Sequence, residues 1–258
     1  MAKKYDLTAE ELLSYLHQFE DDDFNAPFTG FSEDEVAAVE EKYHIKFPPF
    51  YKNYMLQYGQ HPINTIHDHI CPPDEIVSNY DYLSEDIDDY AEELAEMDEE
   101  EAQEACAEDK IYQICQLPQE QWHTITPEYI LTWYENQGIW YAGYLRSDLE
   151  KGVANPPMYI ATNDDFITFK KAADDTETFL KSIFFMASWC VEDNVISFDD
   201  KDSAISALQS DGIAPSLAEK QGVNFCLDTE TNILYACTVQ DDFVQLLILN
   251  KEFEEDEE

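Results

Sequence analysis

The spacing of apolar residues near the start of the chain predicts three helices. Thr8 and Ser32 each precede a glutamate by three residues, which is the spacing of a capping box that satisfies the first backbone N–H groups of a helix. Leu12 and Leu16 then follow Thr8 at helical intervals. The paired prolines of "IKFPPF" suit the first turn of a third helix, which an aromatic-rich segment continues.

The apolar period changes after residue 110 from that of helices to that of strands. Segments rich in β-branched and aromatic residues predict an antiparallel meander; they are "YILTWYE", "IWYAGYL", "MYIAT" and "FITFKK". A helix is predicted from Thr176, and "VEDNVISFDDKD" predicts a domain boundary. Beyond it, the sequence predicts a short helix around residues 204–209 and three strands, "VNFCL", "ILYACTV" and "FVQLLILN".

Residues 81–109 form a dense acidic segment that keeps a helical spacing of apolar residues. No Lys or Arg stands between Lys52 and Lys110. The spacing predicts one helix with an acidic outer face and an apolar stripe, made of Ile87, Tyr90, Ala91, Leu94 and Met97. Two interpretations stay open: a solvated face, partly disordered by repulsion between like charges, or a surface that binds a partner.

The net charge restricts the class of partner. Lys and Arg total 14 and Asp and Glu total 57, so the formal net charge is 14 − 57 = −43. Direct binding to nucleic acid or to an anionic lipid surface requires cations that this chain lacks. A basic protein partner is favoured instead. A halophile-like solvated surface is the alternative, although the charge is clustered rather than even.

The sequence also predicts a cytoplasmic protein. No apolar run follows "MAKKYDLTAE", so no secretory signal is expected, and no stretch reaches the roughly 18 apolar residues of a membrane span. The six cysteines include no C-x-x-C pair and are interpreted as reduced thiols. Because 44% of the residues are apolar, the chain can bury a core.

One cluster of histidines has the composition of a metal site. His61, His67, His69 and Cys71 lie within eleven residues, and imidazole and thiolate are zinc ligands. The spacing is not that of a standard zinc finger, and nearby prolines suit an irregular polar loop, which is the alternative. No nucleophile elbow, Walker loop or dinucleotide motif accompanies the cluster. The sequence therefore disfavours an enzyme and predicts no cofactor.

The stretch "YENQGIWYAG" places a polar centre between two predicted strands. Gly138 can supply the positive φ that a tight hairpin requires, and Asn136 tolerates it. These residues predict a hairpin with a purely structural role. The alternative is a recognition tip to which Glu135, Gln137 and Trp140 contribute.

Four segments, in this order along the chain, match the pattern of one family. They are "SEDEVAAVEEKYHIKFPPFYKNYMLQYG", "WYENQGIWYAGYL", "NPPMYI" and "DDTETFLKSIFFMAS". Together they resemble the SMI1/KNR4 family, also called the SUKH superfamily, over about residues 30 to 190. The sequence departs from the pattern where Phe47 replaces the usual Leu before Pro and where Tyr58-Gly59-Gln60 replaces the usual Asn-Gly pair. The acidic segment at 81–109 is a long insertion.

The resemblance implies a non-enzymatic binding fold. Bacterial members of the family commonly act as immunity proteins against toxins of polymorphic or contact-dependent systems, and many such toxins are nucleases. Fungal members act in cell-wall and signalling control through protein interaction. A nuclease needs a basic substrate groove, toward which a protein of this charge would be steered.

These patterns predict an α+β fold, in which N-terminal helices and a closing helix pack around a mainly antiparallel sheet. Residues 1–192 are predicted to form the SMI1/KNR4-like domain, with the acidic helical insert at about 81–109. Residues 193–258 are predicted to form a C-terminal α/β appendage made of a helix and three strands.

The predicted function is that of an immunity protein, which occludes the basic active-site groove of a cognate toxin in one-to-one complex. A regulatory scaffold and a metal-dependent enzyme are the alternatives, and the oligomeric state stays open. The partner is expected to be a basic protein rather than nucleic acid or membrane. The candidate contact residues are Asp86, Asp88, Asp89, Glu92, Glu93, Glu96, Glu135, Gln137 and Trp140.

Overall fold

The chain separates into two compact units. A computed structural model describes residues 3–19, 24–162, 166–190, 195–241 and 243–250. The first unit contains Met1–Pro27, His61–Asp68 and Glu177–Glu258, and the second contains Phe28–Gln60 and His69–Thr176. The boundary predicted between residues 192 and 193 lies outside the described residues and stays a prediction.

Helices and antiparallel strands together confirm the predicted α+β class. The helices are α1 (Ala9–Leu16), α2 (Glu33–Tyr43), α3 (Pro49–Tyr58), α4 (Asn79–Glu96), α5 (Glu99–Glu108), α6 (Ile111–Ile114), α7 (Arg146–Glu150), α8 (Thr176–Ser188) and α9 (Lys201–Ser210). The strands are β1 (Lys3–Tyr5), β2 (Asp68–Ile70), β3 (Val77–Ser78), β4 (Tyr129–Glu135), β5 (Trp140–Leu145), β6 (Met158–Thr162), β7 (Lys170–Ala173), β8 (Val195–Phe198), β9 (Gly222–Asp228), β10 (Ile233–Gln240) and β11 (Phe243–Asn250).

The first three helices begin where the sequence places their caps. Thr8 accepts a hydrogen bond from the Glu11 N–H at 3.2 Å and donates its own N–H to the Glu11 carboxylate at 3.0 Å. Ser32 makes the same reciprocal pair at the start of α2. Pro49 occupies the first position of α3, where the missing N–H costs no intrahelical hydrogen bond.

The sheet of the first unit contains five strands in the order β1-β9-β10-β11-β8, all antiparallel. The three predicted C-terminal strands are confirmed as β9, β10 and β11. Leu208 of α9 packs with Cys226, Tyr235 and Leu246 of the sheet in one buried cluster. The two outer strands, β1 and β8, were not predicted, because short edge strands show no clear alternation of apolar and polar residues.

The six-stranded sheet of the second unit has the path β2-β4-β5-β6-β7, and β3 also pairs with β4. The antiparallel pairing of β4, β5, β6 and β7 confirms the predicted meander. One face of this sheet packs against α3, since the Tyr51 ring lies 5.4 Å from Trp133 and 5.6 Å from Tyr144. All three rings are fully buried, so this side forms the core of the unit.

The strand predicted for "FITFKK" is only partly present. β7 begins at Lys170, and residues 166–169 are not a strand. The Phe166 carbonyl accepts a hydrogen bond from the Asn79 amide at 2.9 Å, and the Ile167 carbonyl accepts one from the Thr126 hydroxyl at 2.7 Å. Side-chain donors thus satisfy these carbonyls in place of a neighbouring strand.

The acidic segment forms two helices rather than the single predicted one. α4 ends at Glu96, Met97 is extended with ψ 153°, and α5 begins at Glu99. Asp98 caps α5, because its carboxylate accepts the N–H groups of Glu100 and Glu101 at 2.9 and 3.0 Å. Asp98 and Glu101 form a capping box that was readable in the sequence and was missed.

Two further features concern the cysteines and the lengths of the helices. The six cysteine thiols are free, and Cys71, Cys226 and Cys237 are buried. Among the residues that the structure describes, no helix combines the length and the apolar character that crossing a bilayer requires.

Candidate protein-interaction surface

The six carboxylates predicted on α4 all lie on the surface of the second unit. We call this set the acidic face, and it consists of Asp86, Asp88, Asp89, Glu92, Glu93 and Glu96, all of them exposed. At about 100° of rotation per residue, Asp89 and Glu96 point away from the apolar stripe of the same helix. Within the described part of the chain, none of the six forms an ion pair with Lys or Arg.

The start of α4 is fixed to the rest of the unit by polar side chains. Asp81 accepts hydrogen bonds from the Ser78 N–H at 2.8 Å and from the Tyr43 hydroxyl at 2.7 Å. Asn79 is fully buried, and its carbonyl oxygen accepts the Tyr129 N–H at 2.8 Å. These bonds connect the start of α4 to α2 and to β4, so they anchor the helix that carries the acidic face.

The inner side of α4 packs on a separate apolar cluster. Tyr80 and Leu83 are buried there against Ile114 and Trp122, and Ile87 and Tyr90 are partly covered. The Tyr80 hydroxyl also donates to the Thr126 carbonyl at 2.8 Å. The predicted stripe therefore faces inward, and its residues from Ile87 onward are only half-buried.

Like charges are concentrated on this surface. Residues 81–109 carry fifteen Asp and Glu side chains and no Lys, Arg or His. A hydrogen bond to the Glu93 carboxylate raises the pKa of the Tyr112 phenol, and the negative charge of Glu93 raises it further. The acidic face thus imposes a negative potential on its neighbours, and a cationic partner would relieve it.

A cavity of about 570 Å³ opens beside the acidic face. Asp86 of that face lies at the cavity together with Glu108 and Asp109, while Tyr82 and Phe166 provide apolar surface. Glu108 and Asp109 were not among the predicted contacts. Both lie within the acidic segment 81–109, so the sequence alone could have placed them among the candidate contacts.

The hairpin between β4 and β5 is held together by Glu135. The Glu135 carboxylate is buried and accepts the N–H groups of Gln137 at 2.8 Å and Ile139 at 3.2 Å. Its backbone carbonyl accepts the Gly138 N–H at 2.7 Å. Glu135 therefore stabilises the turn, whereas Gln137 is exposed at its tip. A contact of either residue with a partner stays a prediction.

Gly138 adopts a φ of +70°, which is the left-handed conformation that side chains with a Cβ disfavour. A Cβ built at this position meets no atom within 4 Å, so only backbone strain opposes a substitution. We expect Gly138→Ala to lower the free energy of unfolding by about 1 kcal/mol in urea titrations. Gly138→Asn should cost less, because Asn tolerates this conformation. Equal stabilities of the two variants would contradict this account.

Trp140 points to the sheet face that α4 does not cover. Side chains alternate along a strand, so Trp140 shares its face with Ala142 and Tyr144, which lie on the side of α3. Tyr141 lies on the opposite face, where its ring is 5.2 Å from Tyr82 of α4. Trp140 is half-buried, and its contact with a partner stays a prediction.

Tyrosines that sequence analysis did not single out connect α4 to the hairpin. Tyr134 and Tyr141 are paired across β4 and β5, with ring centroids 6.2 Å apart. Tyr82 lies against Tyr141, and Phe166 stacks on Tyr82 at 4.5 Å. The alternation of the two predicted strands could have identified Tyr134 and Tyr141 as neighbours, but Tyr82 joins them only through tertiary packing.

The histidine cluster does not assemble as a metal site. The His67 ring lies 2.9 Å from the Asp68 carboxylate, and the His69 ring lies 3.2 Å from the Tyr134 hydroxyl. Burial raises the pKa of the Cys71 thiol, which disfavours the thiolate that would bind zinc. Among the described residues, no three His, Cys, Asp or Glu side chains are grouped as metal ligands.

Comparison with known proteins identifies the family. The family model of the SMI1 / KNR4 family (SUKH-1) matches residues 30–182, which is more than half of the chain. No curated protein matches, and no solved structure matches. Family membership supports, in general terms, a role in protein interaction of the immunity type. The chain therefore belongs to the SMI1/KNR4 family, SUKH-1.

Proposed function

We propose that this protein is an immunity protein that binds a cognate bacterial toxin and blocks the toxin's basic active-site groove. The observation that supports it most directly is the acidic face of α4, whose six carboxylates are exposed and form no ion pair within the described chain. A nuclease is the toxin class that fits best, because its groove must be basic to bind a polyanionic substrate.

The dimensions of the acidic face suit such a groove. From Asp86 to Glu96 the helix rises by about 15 Å, since each residue adds about 1.5 Å. Double-stranded DNA carries one charge per about 1.7 Å of its axis, so a groove of this length faces several phosphates. A rigid helix with carboxylates along one side can occupy the same cationic positions and exclude the nucleic acid.

The mechanism is occupancy rather than turnover. A chain with a net charge of −43 attracts a basic toxin over distances of about a Debye length, which increases the association rate. Close packing of the acidic face in the groove then prevents substrate binding. The complex forms in the cytoplasm of the toxin-producing cell and needs no cofactor.

Co-expression with the toxin domain encoded beside its gene provides the test. The expected result is growth where the toxin alone is lethal, together with co-purification of the two chains. Titrating the purified protein into the toxin should reduce nuclease activity linearly to zero at one equivalent. Continued lethality, or loss of activity at far below one equivalent, would contradict stoichiometric occlusion.

A further inference from the structure

A small pocket lined by tyrosines lies between α4 and the hairpin strands. Tyr82, Tyr134 and Tyr141 line it with Leu131, and the exposed carboxylate of Glu75 lies at its edge. Its volume is about 280 Å³. Sites for small-molecule ligands usually enclose about 300–1,000 Å³, so this pocket is of the size that suits one side chain.

The aromatic lining is held in place before any partner binds. Tyr134 and Tyr141 are opposite each other in the β4–β5 ladder. Phe166 stacks on Tyr82 with an interplanar angle of 11°. The Tyr134 hydroxyl lies 3.2 Å from the His69 ring nitrogen. Because these contacts fix the ring orientations, an entering group would meet preformed aromatic surfaces.

The electrostatics of the pocket favour a cation. Burial raises the pKa of Tyr134, and the Glu75 carboxylate raises it further. Burial also raises the pKa of Tyr82, as does its interaction with Tyr141. The phenols of Tyr82 and Tyr134 therefore stay neutral at physiological pH and offer the negative faces of their rings. None of the described residues that line the pocket is Lys or Arg.

We propose that this pocket receives one arginine side chain of the protein partner, which anchors the complex beside the acidic face. Arginine fits better than lysine, because its guanidinium is planar, stacks on aromatic rings and is weakly hydrated. Glu75 would accept hydrogen bonds from the guanidinium at the mouth of the pocket. The assignment rests on the proposed function in one respect: the arginine belongs to the toxin.

The test uses short peptides and the complete protein. One peptide contains a single arginine between glycines. A matched peptide contains citrulline in place of arginine, which has nearly the same shape and no charge. We expect the arginine peptide to shift the NMR signals of the Tyr134 and Tyr141 rings at a concentration at least fivefold lower than the citrulline peptide requires. A third peptide with lysine should bind more weakly than the arginine peptide.

Two substitutions locate the binding. Tyr134→Leu should weaken binding of the arginine peptide about fivefold, whereas Tyr134→Phe keeps the ring and most of the affinity. Glu75→Gln changes an exposed side chain, so it should fold normally and also weaken binding. Asp202→Asn, on α9 of the other unit, serves as the control and should bind like the unmodified protein.

Three results would overturn the assignment. They are equal shifts with arginine and citrulline, tighter binding of lysine, and unchanged binding after both Tyr134→Leu and Glu75→Gln. The proposed function would survive each of them if co-expression still protected cells from the toxin. Conversely, if the arginine peptide binds in the pocket but the toxin remains lethal, the immunity function is contradicted while the arginine site stands.

Discussion

Neutralising four carboxylates of the acidic face is expected to slow association with the toxin by at least tenfold at low ionic strength. The face variant carries Asp86→Asn, Asp89→Asn, Glu93→Gln and Glu96→Gln. Electrostatic steering raises association rates by about 10- to 1,000-fold over those of neutral surfaces, and it depends on charge near the contact. Stopped-flow association with a catalytically inactive toxin measures the effect.

A matched control separates local charge from total charge. The control variant carries Asp34→Asn, Glu41→Gln, Asp202→Asn and Glu219→Gln, all at exposed positions that do not belong to α4. Both variants have a net charge of −43 + 4 = −39. The control should associate nearly as fast as the unmodified protein. Equal slowing of the two variants would mean that net charge, and not the acidic face, guides the encounter.

Salt and heat provide two further readouts for the face variant. Raising the ionic strength from about 0.01 M to about 1 M shortens the Debye length from about 30 Å to about 3 Å, so the rate difference should largely disappear. The thermal midpoint should not fall, because each like-charge pair removed from α4 relieves about 0.2–0.5 kcal/mol. A lower midpoint would mean that the substitutions act by unfolding the helix.

The second large effect is expected at Glu40, where Glu40→Ala should lower the free energy of unfolding by about 2 kcal/mol. This carboxylate is only 4% exposed. It accepts the Phe47 N–H at 2.9 Å and the Lys52 ammonium at 2.8 Å, so it connects the end of α2 to α3. Removing it leaves a backbone N–H and a cation without their partner.

Urea unfolding followed by tryptophan fluorescence measures this loss. Lys46→Met is the matched control, because its ammonium lies 3.3 Å from the same carboxylate while its side chain is 75% exposed. Exposed ion pairs contribute at most about 1 kcal/mol, so the control should change stability little. If Glu40→Ala is as stable as the control, the buried hydrogen bonds of Glu40 make no net contribution to the free energy of unfolding.

The contribution of Glu40 should also depend on pH. Burial alone would raise its pKa, but the hydrogen bonds from Lys52 and Phe47 outweigh burial, and the pKa lies below its ordinary value of 4.5. A group with a lowered folded-state pKa stabilises the fold above its ordinary pKa and loses that effect as the pH falls. The stability difference between the unmodified protein and Glu40→Gln should therefore be full at pH 7 and shrink below about pH 4.5.

Much of the local structure was predictable because its causes are local. Thr8 and Ser32 bond to residues three positions away, and the strand pattern of residues 129–135 depends on side chains of adjacent residues. Gly138 was predictable for the same reason, since a tight hairpin requires its positive φ wherever the hairpin lies in the fold. Periodicity also placed the acidic face of α4 on the surface.

Predictions failed where distant groups supply the decisive contact. Residues 166–169 have the composition of a strand. The Asn79 and Thr126 side chains nevertheless donate hydrogen bonds to the carbonyls of Phe166 and Ile167, which therefore do not pair with a neighbouring strand. Trp140 was predicted as a contact beside the hairpin, and alternation along β5 places it on the sheet face that packs against α3; its contact with a partner stays a prediction. The bulge that separates Leu131 from Trp133 shifts the β4–β5 register in a way that composition does not reveal.

The fold class, the caps of α1 and α2, the meander, and the sign and location of the charge could all be predicted from the sequence. These depend on backbone preference, on the helical and strand periods, and on charges that do not change when the chain folds. Two arrangements became evident only in the folded protein: Glu40 joins α2 to α3, and Tyr82 packs against Tyr141 in a pocket that Tyr134 and Glu75 also line. The reason is that such contacts join different elements, 7 and 12 positions apart at Glu40 and more than fifty at Tyr82, and their geometry is set by packing rather than by the residues next to them in the chain.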